Sequence, residues 1–407
     1  MEIPDRFVAT GTHATLERME RTPRIARRMA EIAPFHVMDL LARAQALEAA
    51  GRDIVHMEVG EPDFPTPEPV VRAGQQALAA GHTHYTPAAG LPQLREAISG
   101  YYADRHGVNV PPERIILTPG ASGALQLIMG VVVDPGNRVL LPDPGYPCNP
   151  NFVRLVEGEG IPVPVDATSD YQLTPQHLAS HWDERTVAAM VGSPSNPTGT
   201  LATGEDLRAL AGATAQRGGR LIVDEIYQGL VYEGEAPTAL GETDEAFVVN
   251  SFSKFFGMTG WRLGWVVAPE AYVRELDKLA GNIFLAPPTP AQHAALAAFG
   301  DDTRAILEQR RQAFQQRRDF LLPALRELGF RIPGTPRGAF YLYADAGAFS
   351  DDSFAFAERV LEGAGVALTP GIDFGRHRAG AHVRFAYTTN LDRLEEGVAR
   401  LARYLRP

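Results

Sequence analysis

The middle of the chain alternates short apolar runs with segments of helical periodicity. From Arg114 to Val267, runs of strand length recur, and several are separated by stretches whose apolar residues return every three or four positions. The predicted strands are Arg114–Leu117, Arg138–Leu141, Ile161–Val165, Val187–Val191, Leu221–Val223, Phe247–Val249 and Leu263–Val267. The helices predicted between them are Ser122–Val132, Asn149–Val156 and Glu205–Arg217. This alternation predicts an α/β fold in which helices sandwich a mostly parallel, seven-stranded sheet.

The pattern changes in the last quarter of the chain. A long helical pattern, Thr303–Leu328, contains Pro323, where we expect a kink. It is followed by shorter predicted strands (Ala339–Tyr343, Val366–Leu368, His382–Ala386) and helices (Ser353–Glu362, Leu391–Tyr404). We expect the N-terminal helix Val37–Ala50 to join this smaller α+β unit, with Asp53–Val59 crossing to the larger one. The sequence thus predicts a large domain over residues 61–296 and a discontinuous small domain from residues 1–60 and 297–407.

Charge and cysteine content narrow the functional classes. The net charge of −11 argues against a nucleic-acid-binding protein, which usually has a concentrated basic surface. The single cysteine, Cys148, cannot form an intramolecular disulfide, which is compatible with a reducing cytosol. We find no apolar run that suits a signal peptide or a membrane span. These features predict a cytoplasmic protein without nucleic-acid or membrane partners.

Lysine is nearly absent from the chain. There are 36 arginines and only two lysines, Lys254 and Lys278. Lys278 has charged neighbours at helical spacing and is expected to be solvated. Lys254 follows Ser253 and precedes the apolar pair Phe255 and Phe256, which is unusual for a surface charge. Since arginine cannot act as a nucleophile and a desolvated lysine can, Lys254 is the candidate reactive amine; the alternative is a surface charge in a loop.

A reactive lysine amine most often forms a Schiff base with pyridoxal phosphate, and such a site needs a carboxylate beside the pyridine nitrogen. Asp224 stands at the carboxyl end of an apolar strand, where open α/β sheets bind ligands. The alternative is a helix cap. Glu225 is the weaker candidate because the strand pleat directs it to the opposite face.

The other requirements of such a site are also present. Asn196 and Tyr227 could bind the ring oxygen, and Tyr146, in a Pro/Gly loop, could stack on the ring. The small-residue turn 118–125 could hold the phosphate at a helix start, together with Ser251 and Arg262. Arg384, inside an apolar strand, needs an anionic partner: the substrate carboxylate or, alternatively, an internal salt bridge.

In their order and spacing these segments resemble the class I/II pyridoxal-phosphate aminotransferases of fold type I, from about Pro34 to the C-terminus. The motifs that carry the resemblance are Ser251-x-Ser253-Lys254 with Gly260-x-Arg262, Gly60-Glu61-Pro62-Asp63-Phe64, Tyr85-Thr86-Pro87 with Gly90-Leu91, Asn196-Pro197-Thr198-Gly199, Asp224-Glu225-x-Tyr227, and Pro370-Gly371 with Phe374-Gly375 ahead of Arg384. The resemblance implies an enzyme that moves an amino group between an L-amino acid and a 2-oxo acid.

The resemblance also implies a role for each matched residue. Lys254 would hold pyridoxal 5'-phosphate as a covalent aldimine and then move the substrate proton, and Asp224 would pair with the pyridine nitrogen. The ring would be bound by Asn196, Tyr227 and Tyr146, and the phosphate by Ala121, Ser122, Ser251, Ser253 and Arg262. The substrate would be bound by Arg384 and the Gly60 backbone, with Asn196 also near it. Tyr85 would reach the phosphate of a neighbouring subunit, which implies a homodimer with shared active sites.

Several alternatives stay open. A carbon–sulfur β-lyase or a cyclopropane-forming synthase would use the same residues, and a transcription regulator would use such a domain as a sensor. A sensor protein would need a DNA-binding module ahead of the domain, for which the unmatched N-terminal residues are too few. The substrate side chain is undetermined; the candidates for contacting it are the N-terminal segment and Arg376, His377 and Arg378. Arg376 and Arg378 could bind an acidic side chain; the alternative is that both are solvated in their Gly-rich loop. His82 and His84 lack a third metal ligand nearby, so no metal site is expected.

Overall fold

The computed structural model describes residues 23–32, 34–234 and 236–405. Residues 1–22 of the predicted small domain therefore lie outside the described residues. The chain divides into two units, residues 1–33 and 34–407. In the first unit, Arg27–Glu31 forms a short 3-10 helix. All elements described below belong to the second unit.

The strands of the second unit form a larger and a smaller sheet. In chain order they are β1 (Val55–Met57), β2 (Ile115–Thr118), β3 (Arg138–Asp143), β4 (Glu159–Pro164), β5 (Thr186–Gly192), β6 (Arg220–Asp224), β7 (Phe247–Ser251), β8 (Gly264–Val267), β9 (Tyr341–Asp345), β10 (Val366–Pro370) and β11 (His382–Ala386). The α-helices are α1 (His36–Ala49), α2 (Glu68–Ala79), α3 (Pro92–His106), α4 (Gly120–Val132), α5 (Asn149–Leu155), α6 (Pro175–His181), α7 (Gly204–Ala215), α8 (Glu270–Ile283), α9 (Thr289–Leu296), α10 (Asp301–Leu328), α11 (Ser353–Ala364) and α12 (Leu391–Leu405).

The larger sheet has seven strands in the order β2-β8-β7-β6-β5-β3-β4. Its neighbours run parallel except that β8 is antiparallel to both β2 and β7. Strands β5 and β6 are in register at their carboxyl ends, where Gly192 pairs with Asp224. The predicted α/β fold with a mostly parallel seven-stranded sheet is confirmed.

Both faces of the larger sheet are buried, which explains its continuous apolar runs. Along β6, Leu221 and Val223 pack into one hydrophobic cluster, whereas Ile222 packs into another. The first cluster contains residues of α3, α7 and α9, and the second contains residues of α4, α5 and α8. Successive side chains of a strand point to opposite faces, so helices cover the sheet on both sides.

The smaller sheet has the order β1-β10-β11-β9, with β1 parallel to β10 and the other neighbours antiparallel. One expectation needs correction: Asp53–Val59 is not only a connection from the predicted small domain to the large one. Its residues 55–57 form β1, because Val55 and Met57 are buried and pair with Val366 and Leu368. The predicted boundaries of the two domains stay a prediction.

One further predicted boundary differs from the structure. The strand expected from Ala339 begins at Tyr341, because Ala339 has a left-handed φ of 58° that is incompatible with an extended strand. Helix α10 matches the long helical pattern and contains Pro323; the kink expected there stays a prediction. Within the described residues, no helix is long and apolar enough to cross a membrane.

Candidate active site

The predicted site residues come together around one cavity of about 310 Å³. Its lining includes all of them except Tyr85: Gly60, Ala121, Ser122, Tyr146, Asn196, Asp224, Tyr227, Ser251, Ser253, Lys254, Arg262 and Arg384. Several follow or end strands of the larger sheet, at the edge where parallel α/β sheets bind ligands. We call Ala121, Ser122, Asp224, Ser251, Lys254 and Arg262 the strand-end set.

Lys254 presents its amine to the cavity. Its Nζ donates a hydrogen bond of 2.8 Å to the carbonyl oxygen of Gly60 and lies 5.9 Å from the centre of the Phe340 ring. Burial lowers the pKa of Lys254 from 10.5 to about 8, and the nearby Arg384 and Arg262 act in the same direction. A substantial fraction of this amine is therefore neutral, and able to act as a nucleophile or base, near physiological pH.

Asp224 is a buried carboxylate at the end of β6. Its Oδ1 accepts a hydrogen bond from the backbone N–H of Ile226 at 3.1 Å. Burial raises the pKa of Asp224 to about 6. Its neighbour Glu225 does not line the cavity; its carboxylate accepts bonds from Thr238 Oγ1 at 2.9 Å and Ala239 N–H at 2.8 Å. The pleat thus separates a carboxylate that faces the cavity from one that holds a loop, as the sequence predicted.

The start of α4 could hold an anion. No side chain caps this helix, so its first N–H groups are left for another acceptor. Gly120 has a φ of 71°, and a Cβ on it would come within 2.6 Å of Arg262 Nη2, so the glycine allows the guanidinium to approach the helix start. Arg262 also donates to Ser253 Oγ at 3.5 Å, and Ser253 Oγ accepts from Ser251 Oγ at 3.0 Å.

Aromatic hydroxyls and an amide line another part of the cavity. The hydroxyl oxygens of Tyr227 and Tyr341 lie 2.8 Å apart, and burial raises the pKa of both phenols. Tyr341 was missed by the sequence analysis, because within an aromatic strand it looks like an ordinary core residue. A Cβ at position 60 would come within 2.0 Å of Tyr341 Oη, so only glycine fits there. Tyr146 lines the cavity as predicted.

Arg384 lies between two aromatic rings, with its guanidinium carbon 4.3 Å from the Tyr341 centroid and 4.7 Å from the Phe374 centroid. It donates to Asn196 Oδ1 at 2.9 Å, to the Glu58 carbonyl at 2.7 Å and to Thr369 Oγ1 at 3.2 Å. These acceptors are uncharged, and its buried Nε has no hydrogen-bond partner within the described residues. No described carboxylate pairs with it, which argues against the internal salt bridge.

The start of α1 also lines the cavity, which the sequence analysis did not assign. Phe35, Val37 and Met38 contribute apolar surface there. The carboxylate of Asp373 holds this helix start by accepting hydrogen bonds from His36 N–H at 3.0 Å and Val37 N–H at 2.8 Å. We call Phe35, Val37, Met38 and Asp373 the α1 set. No local motif marks these residues, because they meet only through a contact between distant parts of the chain.

The remaining candidates lie outside the cavity. Tyr85 is 80% exposed in the loop between α2 and α3. The ring of His82 stacks on that of His293 at 4.3 Å, and across the described residues no group of three or more possible ligands could hold a metal. Arg378 donates to Asp345 Oδ2 at 3.2 Å, and the side chain of Arg376 is not part of the lining.

Comparison with known proteins identifies the family. The family model described as aminotransferase class I and II matches residues 52–401. The chain is 38% identical to the valine–pyruvate aminotransferase of Mycobacterium tuberculosis, over 94% of this chain and 99% of that one. It is 37% identical to the aspartate/prephenate aminotransferase of Thermus thermophilus, over 94% and 98%.

A solved structure agrees with these sequence relatives. The crystal structure of an aminotransferase from Mycobacterium tuberculosis is similar with a TM-score of 0.91 and 39% identity, over 94% of this chain and 99% of that one. The expected enzyme class is confirmed, and it implies pyridoxal phosphate as the coenzyme and amino acids and 2-oxo acids as substrates. The chain belongs to the class I and II aminotransferases.

Proposed function

We propose that this aminotransferase holds pyridoxal phosphate covalently through Lys254 and exchanges an amino group between an L-amino acid and a 2-oxo acid. The observation that supports this most directly is the amine of Lys254 in one cavity with Asp224, Arg262 and Arg384. A nucleophilic amine, an anion for a pyridine nitrogen, a phosphate site and a guanidinium without a carboxylate partner are what such a reaction requires.

The residues present fit the coenzyme on their own chemistry. The uncapped start of α4, with Arg262 over Gly120, suits a phosphate dianion. We assign phosphate binding to Ala121, Ser122, Ser251 and Arg262, with Ser253 as a weaker contributor. Asn196 and Tyr227 would bind the ring oxygen, and Tyr146 would stack on the ring. When bound, pyridoxal phosphate supplies an electron-poor ring that stabilises the charge left when a bond to the α-carbon breaks.

Each side chain then has a defined task. Asp224 would keep the ring nitrogen protonated, since a buried anion stabilises a nearby cation. Arg384 and the Gly60 backbone would bind the α-carboxylate; the acceptors that Arg384 has among the described residues are uncharged, so its charge is left for an anion. Lys254 Nζ would remove the proton from the substrate α-carbon and hold it, for which a pKa near 8 is suitable.

We further propose a homodimer in which Tyr85 reaches the phosphate of the other subunit. What supports it is exposed apolar surface: Leu78 is 57% exposed, Tyr85 80% and Leu285 57%. The Tyr85 loop contacts the start of α9, where Thr289 Oγ1 donates to the His84 carbonyl at 2.7 Å. A homodimer would cover such a surface.

We also propose a cytoplasmic location, since Cys148 is the chain's single cysteine and leaves the fold independent of disulfides.

The test is a half-reaction in which the holoenzyme meets one amino acid and no 2-oxo acid. Transamination predicts that each active site releases one equivalent of 2-oxo acid, with no ammonia, and then stops until a second 2-oxo acid is added. Continuous release of ammonia and pyruvate from a cysteine conjugate would instead indicate a β-lyase. No reaction with any amino acid would contradict the proposal.

A further inference from the structure

A second cavity, of about 440 Å³, lies against the segment that follows Lys254. Its walls come from α3, from Phe255 and Phe256, from the 3-10 turn Ala297–Phe299 after α9, and from the first part of α10. Lys254 lines the active-site cavity and Phe255 lines the second one, so two consecutive residues belong to different cavities. The volume falls within the range of about 300–1,000 Å³ that is usual for small-molecule sites. The proposed reaction uses none of the side chains that line the second cavity.

Four aromatic rings line the second cavity. Those of Tyr101, Phe256 and Phe299 meet at steep angles, with ring centres 5.4 to 5.8 Å apart. Phe255 adds a fourth ring, whose centre lies 5.1 Å from that of Phe256. Tyr101, Phe255 and Phe299 are only partly buried, so ring surface is left for a ligand to cover. Such a lining favours an aromatic ligand, because edge-on and offset contacts between rings add to the free energy gained from burial.

The acidic side chains of the second cavity already have partners. The carboxylate of Asp104 lies 3.6 Å from the guanidinium of Arg304, and Glu308 Oε1 accepts a hydrogen bond from Arg311 Nη2 at 2.7 Å. The bonds from Arg311 lower the pKa of Glu308, and the charge of Arg105 adds a smaller effect in the same direction. Arg105 itself forms no ion pair within the described residues, so its charge favours an anionic ligand.

Gly100 leaves part of the cavity wall open. It lies in the interior of α3, where glycine is destabilising relative to alanine. Its φ is not positive, and a Cβ built on it would meet no atom within 4 Å. Neither the backbone conformation nor a close neighbour therefore requires glycine at this position. What the missing side chain does provide is space at the cavity, which Gly100 lines.

The second cavity is separate from the surface that we propose for the dimer. The Tyr85 loop contacts the start of α9 at Thr289, whereas the cavity lies beyond the end of this helix, at Phe299. About ten residues of mostly helical chain, each rising about 1.5 Å, separate these two places. The exposed residues that support the dimer, Leu78, Tyr85 and Leu285, do not line the cavity. An interface at the Tyr85 loop therefore does not by itself cover the second cavity.

From these observations we propose that the second cavity binds a small aromatic carboxylate. Its ring would pack among Tyr101, Phe256 and Phe299, and its carboxylate would accept two hydrogen bonds from Arg105. The guanidinium carbon of Arg105 lies 5.3 Å from the centre of the Phe255 ring, a contact that holds the charge at the edge of the aromatic surface. The ligand would lie against the residues that follow Lys254 without entering the active-site cavity.

The test follows the fluorine NMR signal of 4-fluorophenylacetate during titration with the holoenzyme. Because the active site is also proposed to bind a carboxylate, the titration uses the Arg384→Leu enzyme, in which that binding is removed. We expect saturable binding with a Kd of about 1 mM or less. The uncharged 4-fluorophenylacetamide should bind at least about tenfold more weakly, because it cannot form a charge-assisted pair with Arg105. Binding that does not saturate, or equal affinity for the acid and the amide, would overturn the proposal.

Two further substitutions, each added to Arg384→Leu, locate the bound probe. Arg105→Gln should weaken binding of 4-fluorophenylacetate at least about tenfold. Gly100→Leu should abolish binding, because the new side chain occupies the open space at the cavity. The matched control is Gly212→Leu in α7, another helix glycine whose Cβ would meet no atom within 4 Å but which does not line the cavity. It should leave the affinity unchanged. Unchanged affinity in both Arg105→Gln and Gly100→Leu would place the probe elsewhere and overturn the proposal.

Discussion

The strand-end set and the α1 set line the same cavity but are built differently. Most of the strand-end set follows directly from strands and a helix start of the larger sheet, so short stretches of chain fix its geometry. The α1 set depends on Asp373 bonding to His36, a contact that spans 337 positions of sequence. The rigid set suits chemistry that all substrates share. Phe35, Val37 and Met38 of the α1 set lie at one helix start, so their side chains can change without disturbing the larger sheet.

The largest expected effect is on the strand-end set, at Lys254. Lys254→Ala removes the amine that we propose attaches the coenzyme and moves the proton, so we expect turnover to fall by at least about 10⁴-fold. Circular dichroism should show an intact fold, because the amine's hydrogen bond is to one backbone carbonyl. The matched control is Lys278→Ala, which removes an exposed lysine that pairs only with Glu275 among the described residues. Turnover within tenfold of wild type in Lys254→Ala would contradict the assignment.

Asp224→Asn should separate function from stability. We expect kcat/KM to fall by about 10³-fold, because the variant lacks the buried anion that we propose pairs with the ring nitrogen. The apoprotein should become more stable by about 2 kcal/mol at pH 8, since folding raises the pKa of Asp224 from 3.8 to about 6 and the folded state therefore resists its ionisation. Chemical denaturation of the apoprotein measures this change.

The effect on activity has a matched control at Glu225, which lies outside the cavity. Burial raises the pKa of Glu225 to about 8, so at pH 8 the neutral glutamine should also stabilise the apoprotein, partly offset by weaker bonds to Thr238 and Ala239. We expect Glu225→Gln to retain most of its activity. If Glu225→Gln lost more activity than Asp224→Asn, the two carboxylates would have to exchange roles.

Arg384 belongs to neither set, and Arg384→Leu tests whether it binds the substrate carboxylate. Removing the guanidinium should lower kcat/KM for leucine by about 100-fold, because a charge-assisted, two-bond contact to the α-carboxylate is lost. The rate with 3-methylbutylamine, which is leucine without its carboxylate, should fall much less. Steady-state kinetics with both compounds decides the point, since an equal loss for both would indicate a structural rather than a binding role.

The smallest effect concerns the support of α1. His56 on β1 bonds Glu58 Oε1 at 2.6 Å and Glu48 Oε1 of α1 at 3.1 Å, and the first of these bonds raises its pKa to about 9. A raised pKa stabilises the fold below pH 6.5, and this contribution disappears as the pH rises through 9. The His56 side chain is 35% exposed, so solvent screening reduces the effect to about 1 kcal/mol.

His56→Gln should therefore lose stability at pH 6 and little at pH 10, as measured by urea unfolding. The control is His181→Gln, whose ring contacts a backbone carbonyl on the exposed end of α6. A stability difference between wild type and His56→Gln that does not shrink as the pH rises would show that the imidazole charge contributes nothing.

Much of the fold and of the strand-end set could be predicted from the sequence, for physical reasons. Strands buried on both faces leave uninterrupted apolar runs, so β3, β5 and β7 were found close to their true bounds. Polar residues at the carboxyl ends of such strands, such as Asp224 and Ser251, stand out against this background. Their assembly in one cavity follows from parallel strands ending at a common edge.

The rest depends on contacts that no local pattern records. Helices α2, α3, α6, α8 and α9 were not predicted, as their surroundings are rich in proline and mixed in polarity. Residues 55–57 form a strand only because β10 offers a partner more than 300 positions later. Tyr341 and Asp373 belong to the cavity through similar long-range contacts, so neither was assigned from its neighbours.

Attachment of the coenzyme to Lys254 can be located chemically. The purified holoenzyme is reduced with borohydride, digested, and its peptides are mapped by mass spectrometry. We expect the pyridoxyl-phosphate label on the peptide containing Lys254 and none on the peptide containing Lys278. A label elsewhere, or none after reconstitution with pyridoxal phosphate, would contradict it.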